Sequence, residues 1–205
     1  MRRGGFMGLT FYTVGHSNRS LPEFLNLIQA YGISLIADVR AFPTSQRFPQ
    51  FTRETLASAL ERAGLSYVWL GKELGGYRKT GLGPCSPNSA WKSEGFRNYA
   101  DHMLTEDFQA GVERLLGLGS QKLTAILCAE RFWWRCHRRL LADWLVAHGH
   151  TVIHIVDVGR AVPHKLSSTA RIMEGRVIYP GGEPWSPGCA RASFRSGSRA
   201  ERAGA

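Results

Sequence analysis

The residues that could do chemistry in this chain fall in short clusters. The densest is Cys128-Ala129-Glu130 followed by Cys136-His137-Arg138. A thiol beside an imidazole is a minimal set for nucleophilic catalysis, with the thiolate attacking and the base taking its proton. Arginine adds fixed positive charge, which favours a thiolate and also holds phosphate or carboxylate. A second cluster is Gly15-His16-Ser17-Asn18, and a third is Asp38-Val39-Arg40 with Pro43, Ser45 and Arg47. On residue type, Cys128, Cys136, His137, Glu130 and Asp38 are the candidate catalytic groups. His16, Ser17, Arg40, Ser45 and Arg138 are the candidate substrate-holding groups. Two plainer readings stand beside these. Asp38 and Arg40 could form a self-satisfied ion pair that orders the loop after them. Cys128 could simply pack in a core.

Such clusters need elements to aim them, and the sequence alternates helix, glycine and β-branched run. Leu21, Phe24, Leu25 and Ile28 recur at helical spacing. Ser20-Leu21-Pro22-Glu23 opens that helix as a capping box, and Gly32 closes it. Ile33 to Val39 then reads as a buried strand. Leu56, Leu60 and Ala63 mark a second helix, Gly64 its stop, and Ser66 to Leu70 a second such strand. A helix from about Phe108 to Leu118 leads to the strand Leu123 to Cys128. A helix from about Cys136 to His148 leads to Thr151 to Val158. Leu9 to Val14 precedes them all as a first strand. The expectation is a single α/β domain over 9–185, built on a mostly parallel sheet of about five strands with helices on both faces. Gly71 to Ser93 reads as one long Gly/Pro/Ser-rich loop, and Arg176 to Tyr179 as a short peripheral strand.

In open parallel sheets, ligands bind outside the carboxyl ends of the strands. All three clusters stand there, whereas the opposite ends carry plain glycine caps. In the last helix, Leu140, Leu141, Trp144, Leu145 and His148 form the inward face. Four residues before Leu140 and Leu141 stand Cys136 and His137, which therefore point to the sheet at the helix N-terminus. That end presents free N–H groups, which favour an anion or a thiolate.

Composition narrows the class further. The chain has 205 residues, 26 Lys+Arg against 16 Asp+Glu, a net charge of +10 and 43% hydrophobic residues. That excludes disordered, collagen-like and disulfide-scaffold proteins. No apolar run is long enough for a membrane span, so the expected compartment is the cytoplasm, with reduced thiols and no membrane partner. About half of the positive excess sits at the ends, in Arg2, Arg3, Arg191, Arg195, Arg199 and Arg202 against Glu201 alone. Residues 1–8 and 186–205 therefore read as a disordered leader and a disordered basic tail. Cys85 and Cys189 receive no role. The glycine motifs of P-loop and dinucleotide-binding proteins and the Gly-x-Ser-x-Gly elbow are all absent.

Thr13-Val14-Gly15-His16-Ser17, Asp38-Val39-Arg40 with Pro43 and Ser45, Leu74-Gly75-Gly76, Cys128-Ala129-Glu130 and Cys136-His137-Arg138 also occur in a telling order. Together they resemble the domain of unknown function 488 family over about Leu9 to Pro180. The resemblance implies an α/β fold. It points to His16, Asp38, Arg40, Cys128, Glu130, Cys136, His137 and Arg138, and it supplies no reaction. The insert Arg131-Phe132-Trp133-Trp134-Arg135 departs from the family pattern and makes the rim of the site aromatic and basic.

Two partners follow. One is an anionic, phosphate-bearing small molecule turned over by an enzyme through the Cys/His/carboxylate/Arg set. The other is nucleic acid, in repair or processing, with Arg131, Trp133, Trp134 and Arg135 contacting bases and phosphates. A third reading, a soft metal on Cys128, Cys136, His137 and His16, has looser spacing than structural zinc sites show. No metal and no cofactor are assigned.

Overall fold

The computed structural model describes residues 8–182. The expected leader (apart from Gly8) and basic tail, with Cys189 and residues 183–185, lie outside them. The chain forms β1 (Thr10–Gly15), α1 (Leu21–Ala30), β2 (Leu35–Asp38), α2 (Arg53–Arg62), β3 (Ser66–Trp69), α3 (Gly71–Leu74), α4 (Glu94–His102) and α5 (Glu106–Gly119). It continues through β4 (Thr124–Cys128), α6 (Arg138–Ala147), β5 (Thr151–Asp157), β6 (Arg160–Pro163), β7 (Arg171–Met173) and β8 (Arg176–Ile178). Short 3₁₀ turns occupy Pro49–Phe51, Gly83–Cys85 and Trp133–Arg135.

The local reasons are the expected ones. Ser20 caps α1 by accepting from the Glu23 backbone, and the Glu23 carboxylate accepts from the Ser20 backbone in return. β2 is buried at every position, as a central strand covered on both faces must be. The main sheet runs β3-β2-β4-β1-β5-β6. All pairs are parallel except β5 with β6, which turns back antiparallel at the edge. The sheet thus has one strand more than the five expected. β7 and β8 form a separate antiparallel pair, so the peripheral strand at Arg176 has its partner just before it.

Two apolar cores flank the sheet. Phe24, Leu27 and Ile28 of α1 and Leu56 and Leu60 of α2 pack on Val14, Ile36 and Leu127. Tyr99 of α4, Phe108 and Leu115 of α5, and Leu140 and Leu141 of α6 pack on Phe11, Ala37 and Ile126. β1 and β4 are neighbours, with Gly15 paired to Cys128. Their following helices, α1 and α6, leave for opposite faces. Strands that part this way leave a crevice beyond their carboxyl ends, the place where such sheets bind ligands. Among the described residues, no helix is long and apolar enough to cross a membrane.

The stretch after β3 is more ordered than a loop. α3 opens it, and Asp101 of α4 anchors its middle. The Asp101 carboxylate accepts from Ser86 Oγ at 2.5 Å, Asn88 Nδ2 at 2.7 Å and the Leu82 backbone at 2.8 Å.

Candidate functional site

The β1–β4 crevice is built from the strand ends outward. The His16 amide donates to Cys128 O at 3.0 Å, and the Ser17 amide to Ala129 O at 2.9 Å. These bonds carry the parallel ladder two residues past the strands. Gly15 permits this approach, since a Cβ there would lie 2.0 Å from Glu130 O. The Cys-Ala-Glu segment is thereby laid against the His-Ser segment.

Cys128 ends β4, Cys136 follows the 3₁₀ turn, and His137 is the N-cap residue of α6. Cys136 is thus extended backbone just ahead of the helix rather than its first inward residue. His137 Nδ1 lies 3.5 Å from Cys136 Sγ and 4.0 Å from Cys128 Sγ. The Leu74-Gly75-Gly76 segment passes beside this ring. A Cβ on Gly76 would lie 2.3 Å from His137 Nδ1, so the glycine leaves the ring its place. Tyr99 closes the other side, its ring edge-on to the imidazole at 5.0 Å between centroids.

Arg138 points inward. It is 1% exposed. Its Nε donates to Cys136 Sγ at 3.5 Å, its Nη1 to Thr13 Oγ1 at 3.4 Å, and its Nη2 to Glu130 O. Expected to hold substrate, it lines neither of the two pockets described below and instead holds protein groups. Beyond Thr13 the chain of bonds continues. Thr13 Oγ1 lies 2.7 Å from His154 Nδ1, His154 Nε2 lies 2.9 Å from His164 Nδ1, and His164 Nε2 lies 2.9 Å from Asp143 Oδ1. One proton arrangement satisfies every step, each group donating toward Asp143. The His154 ring is neutral in it. Burial, above all, lowers its pKa to about 2, with the nearby Arg138 charge acting in the same direction. The Asp143 carboxylate also accepts from Ser167 N at 2.8 Å and Tyr179 Oη at 2.9 Å.

The thiols titrate as a pair. Burial alone would push the Cys136 thiol up. The hydrogen bond from Cys128, and then the positive charge of His137 and Arg138, pull it well below its ordinary value. Cys128 moves the other way. Its bond to Cys136, its burial and the negative charge on Cys136 push it well above. The two shifts favour placing a negative charge on Cys136 rather than on Cys128. Both cysteines are free.

Asp38 and Arg40 form the self-contained pair. Arg40 Nε lies 2.9 and 3.0 Å from the two Asp38 oxygens, and Nη2 lies 2.5 Å from Oδ2. Tyr67 Oη donates to the same Oδ2 at 2.6 Å. Burial and then the Asp38 charge raise the Tyr67 hydroxyl, so it remains a donor. Asp38 is fully buried and lines neither pocket, which separates it from the catalytic candidates. Arg40 Nη1 reaches Phe51 O at 2.6 Å and His16 Nε2 at 3.3 Å. His16 Nδ1 donates to Ser17 O at 2.9 Å, and its ring stacks on Phe51 at 4.2 Å. Burial and then Arg40 lower the His16 pKa to about 4, so it is a neutral wall rather than a base at the thiols.

Two pockets meet at this crevice. One, of about 430 Å³, is lined by Cys128, Cys136, His137, Gly76, Arg135 and the aromatic rings of Phe42, Tyr77 and Phe96. The other, of about 500 Å³, is lined by His16, Ser17, Ser45, Arg47 and Arg131, with Phe48 beneath. Arg40, Phe42, Ala129 and Glu130 line both. Glu130 is exposed between them, and its Oε1 accepts from Phe132 N at 3.2 Å. The Arg131–Arg135 insert divides. Trp133 turns inward and stacks on His154 at 4.0 Å, whereas Phe132 and Trp134 stay exposed and pack on each other at 4.8 Å.

Cys128, Cys136 and His137 place one ligand atom each within 4.8 Å of one another, a set that soft divalent ions favour. His16 is not part of this group. His137 Nε2 is buried without a hydrogen-bond partner. A ligating imidazole ordinarily gives its second N–H to an acceptor, so this feature weighs against metal ligation through Nδ1.

Thr13, His154, His164, Asp143 and Tyr99 were not singled out as site residues by sequence reasoning. Of these, only Thr13 carried a signal, as the first residue of the Thr13-Val14-Gly15-His16-Ser17 segment. No curated protein and no solved structure matches the chain. A family model described as Domain of unknown function DUF488 matches residues 20–145. The match takes in Asp38, Arg40, Leu74-Gly75-Gly76 and both cysteine segments, while Gly15-His16-Ser17 precede it; the chain belongs to the DUF488 family.

Proposed function

We propose that this protein is a thiol-dependent enzyme acting on a small anionic substrate in the β1–β4 crevice. The observation that carries the reading is the placement of Cys136, Cys128 and His137 on the wall of one pocket. Cys136 supplies the electron pair as a thiolate. Cys128, still protonated, can return a proton to the charge that develops. His137 and the interior Arg138 stabilise the thiolate before attack. The substrate's negative charge is met by Arg135 at this pocket and by Arg47 and Arg131 next door, opposed by Glu130 alone among the lining carboxylates.

Paired alkylating reagents test both halves of this reading. Iodoacetate carries a carboxylate and iodoacetamide does not. Cys136 is expected to react faster with the anionic reagent, and Arg135→Ala or high salt is expected to abolish that preference. Equal rates at low salt, or labelling that persists undiminished in Cys136→Ser, would overturn the assignment.

A further inference from the structure

The two pockets differ in chemistry, and they share a wall. The thiol pocket is aromatic. Its mouth carries Phe42 and Tyr77, 67% and 58% exposed, more than any other large hydrophobic side chain among the described residues. Their rings meet at 5.4 Å between centroids. Two adjoining exposed rings beside one cavity offer faces on which a planar group can stack. The neighbouring pocket is polar and cationic. Arg47 and Arg131 line it together with Ser17, Asn18, Thr44 and Ser45. Arg131 is only loosely paired, 3.8 Å from Asp157 with both groups exposed. Phe42 and Arg40 border both spaces, so one ligand can reach from one into the other.

We infer that the substrate is a nucleotide unit, its base stacked at Phe42 and Tyr77 and its phosphate held by Arg47 and Arg131. The phosphate is then a handle, and the thiols face the base side of the molecule. This rests on the reading of the crevice as the substrate site, and it names the substrate class. It also gives the exposed Phe132 and Trp134 a use. Beside Arg131 and Arg135 they offer a surface on which a flanking base of a single strand could stack.

Calorimetric titration of the protein tests this with thymidine 5′-monophosphate, thymidine, inorganic phosphate, O-phosphotyrosine and a short oligothymidylate. The monophosphate should bind at least about tenfold tighter than thymidine or phosphate alone. Arg47→Ala should remove most of the gain from the phosphate and leave thymidine unchanged. Phe42→Ala should weaken the monophosphate and thymidine alike. Both side chains are exposed, so neither variant threatens the fold. An oligothymidylate that binds tighter than the monophosphate, with the gain lost in Trp134→Ala, identifies a strand as the source; equal affinities identify the free nucleotide. Phosphate binding as tightly as the monophosphate, O-phosphotyrosine binding tighter, or no binding by either nucleotide form overturns the proposal. The alkylation rates of Cys136 in ligand-free protein are independent of all these outcomes, so a failed nucleotide does not pass for a failed thiolate.

Discussion

Arg138 Nε lies 3.5 Å from Cys136 Sγ, with the arginine buried at 1% exposure. A guanidinium in that position is screened by water less than a surface charge, and it helps to lower the Cys136 thiol. Its own placement depends on Thr13, which bonds both Arg138 and His154. Thr13→Val keeps the shape and removes the link. We expect a slower Cys136 alkylation at pH 6, by a few-fold, and a stability loss of about 1–2 kcal/mol. Thr13→Ser should restore the reactivity. A Thr13→Val protein with the alkylation pH profile of the parent would show that Arg138 needs no such support.

Gly15 is a steric requirement of the site. An added Cβ would stand 2.0 Å from Glu130 O, a backbone atom that no side-chain rotation can move. Gly15→Ala should therefore destabilise the fold by about 3 kcal/mol, at the upper end of overpacking costs. Thermal unfolding checks this. A melting temperature within a degree or two of the parent would contradict the close approach of the two strand ends.

The Asp38–Arg40 pair should behave as structure. Asp38→Asn preserves volume and leaves a buried guanidinium without its counter-charge, a change that costs about 3–5 kcal/mol. Tyr67→Phe removes one hydrogen bond to the same carboxylate and should cost only about 1–2 kcal/mol. Chemical denaturation of both variants gives the comparison. Asp38→Asn no worse than Tyr67→Phe would mean that the pair is not the buried anchor described here.

Acid should destabilise the protein through its buried neutral histidines. In the unfolded chain His16 takes a proton near pH 6.5, and in the folded chain only near pH 4. Between those values the unfolded state binds more protons, so stability falls as pH is lowered through that window and the loss is complete below it. The size is up to about 3 kcal/mol for this one group. His154, lowered to about 2, adds to the effect in the same direction. His16→Gln keeps an acceptor toward Arg40 and cannot titrate, so its stability should decline less steeply between pH 6.5 and 4. An unchanged slope would place the acid sensitivity elsewhere.

Much of this architecture is legible in the residues, and the exceptions have physical causes. The capping box at Ser20 and Glu23 is local chemistry and reads directly. The strand-end rule leads to the crevice because it depends only on element order. α4 escapes such reading because its buried side includes Asn98 and Asp101, which look like a surface face until Ser86 and Asn88 supply partners for Asp101 and the Arg78 carbonyl one for Asn98. β6 is a short edge strand with three of its four residues polar, exposed or proline, which leaves little pattern to detect. At the site, residue types near the thiols point to the right segments. Direction is another matter. Arg138 faces the interior because Thr13 and Glu130 O satisfy it there, and those partners come from two other parts of the chain. The series from Thr13 through His154 and His164 to Asp143 joins four elements or loops, so no spacing in the sequence announces it.

The central claim is that Cys136 is a thiolate at neutral pH with Cys128 as its protonated neighbour. The direct measurement is the rate of iodoacetamide alkylation at each cysteine between pH 4 and 10, resolved by peptide mass spectrometry. The account predicts fast labelling of Cys136 that persists well below the ordinary thiol pKa of about 8.5, with Cys128 reacting only above it. Cys136 titrating at or above that ordinary value, or Cys128 labelling first, would contradict it.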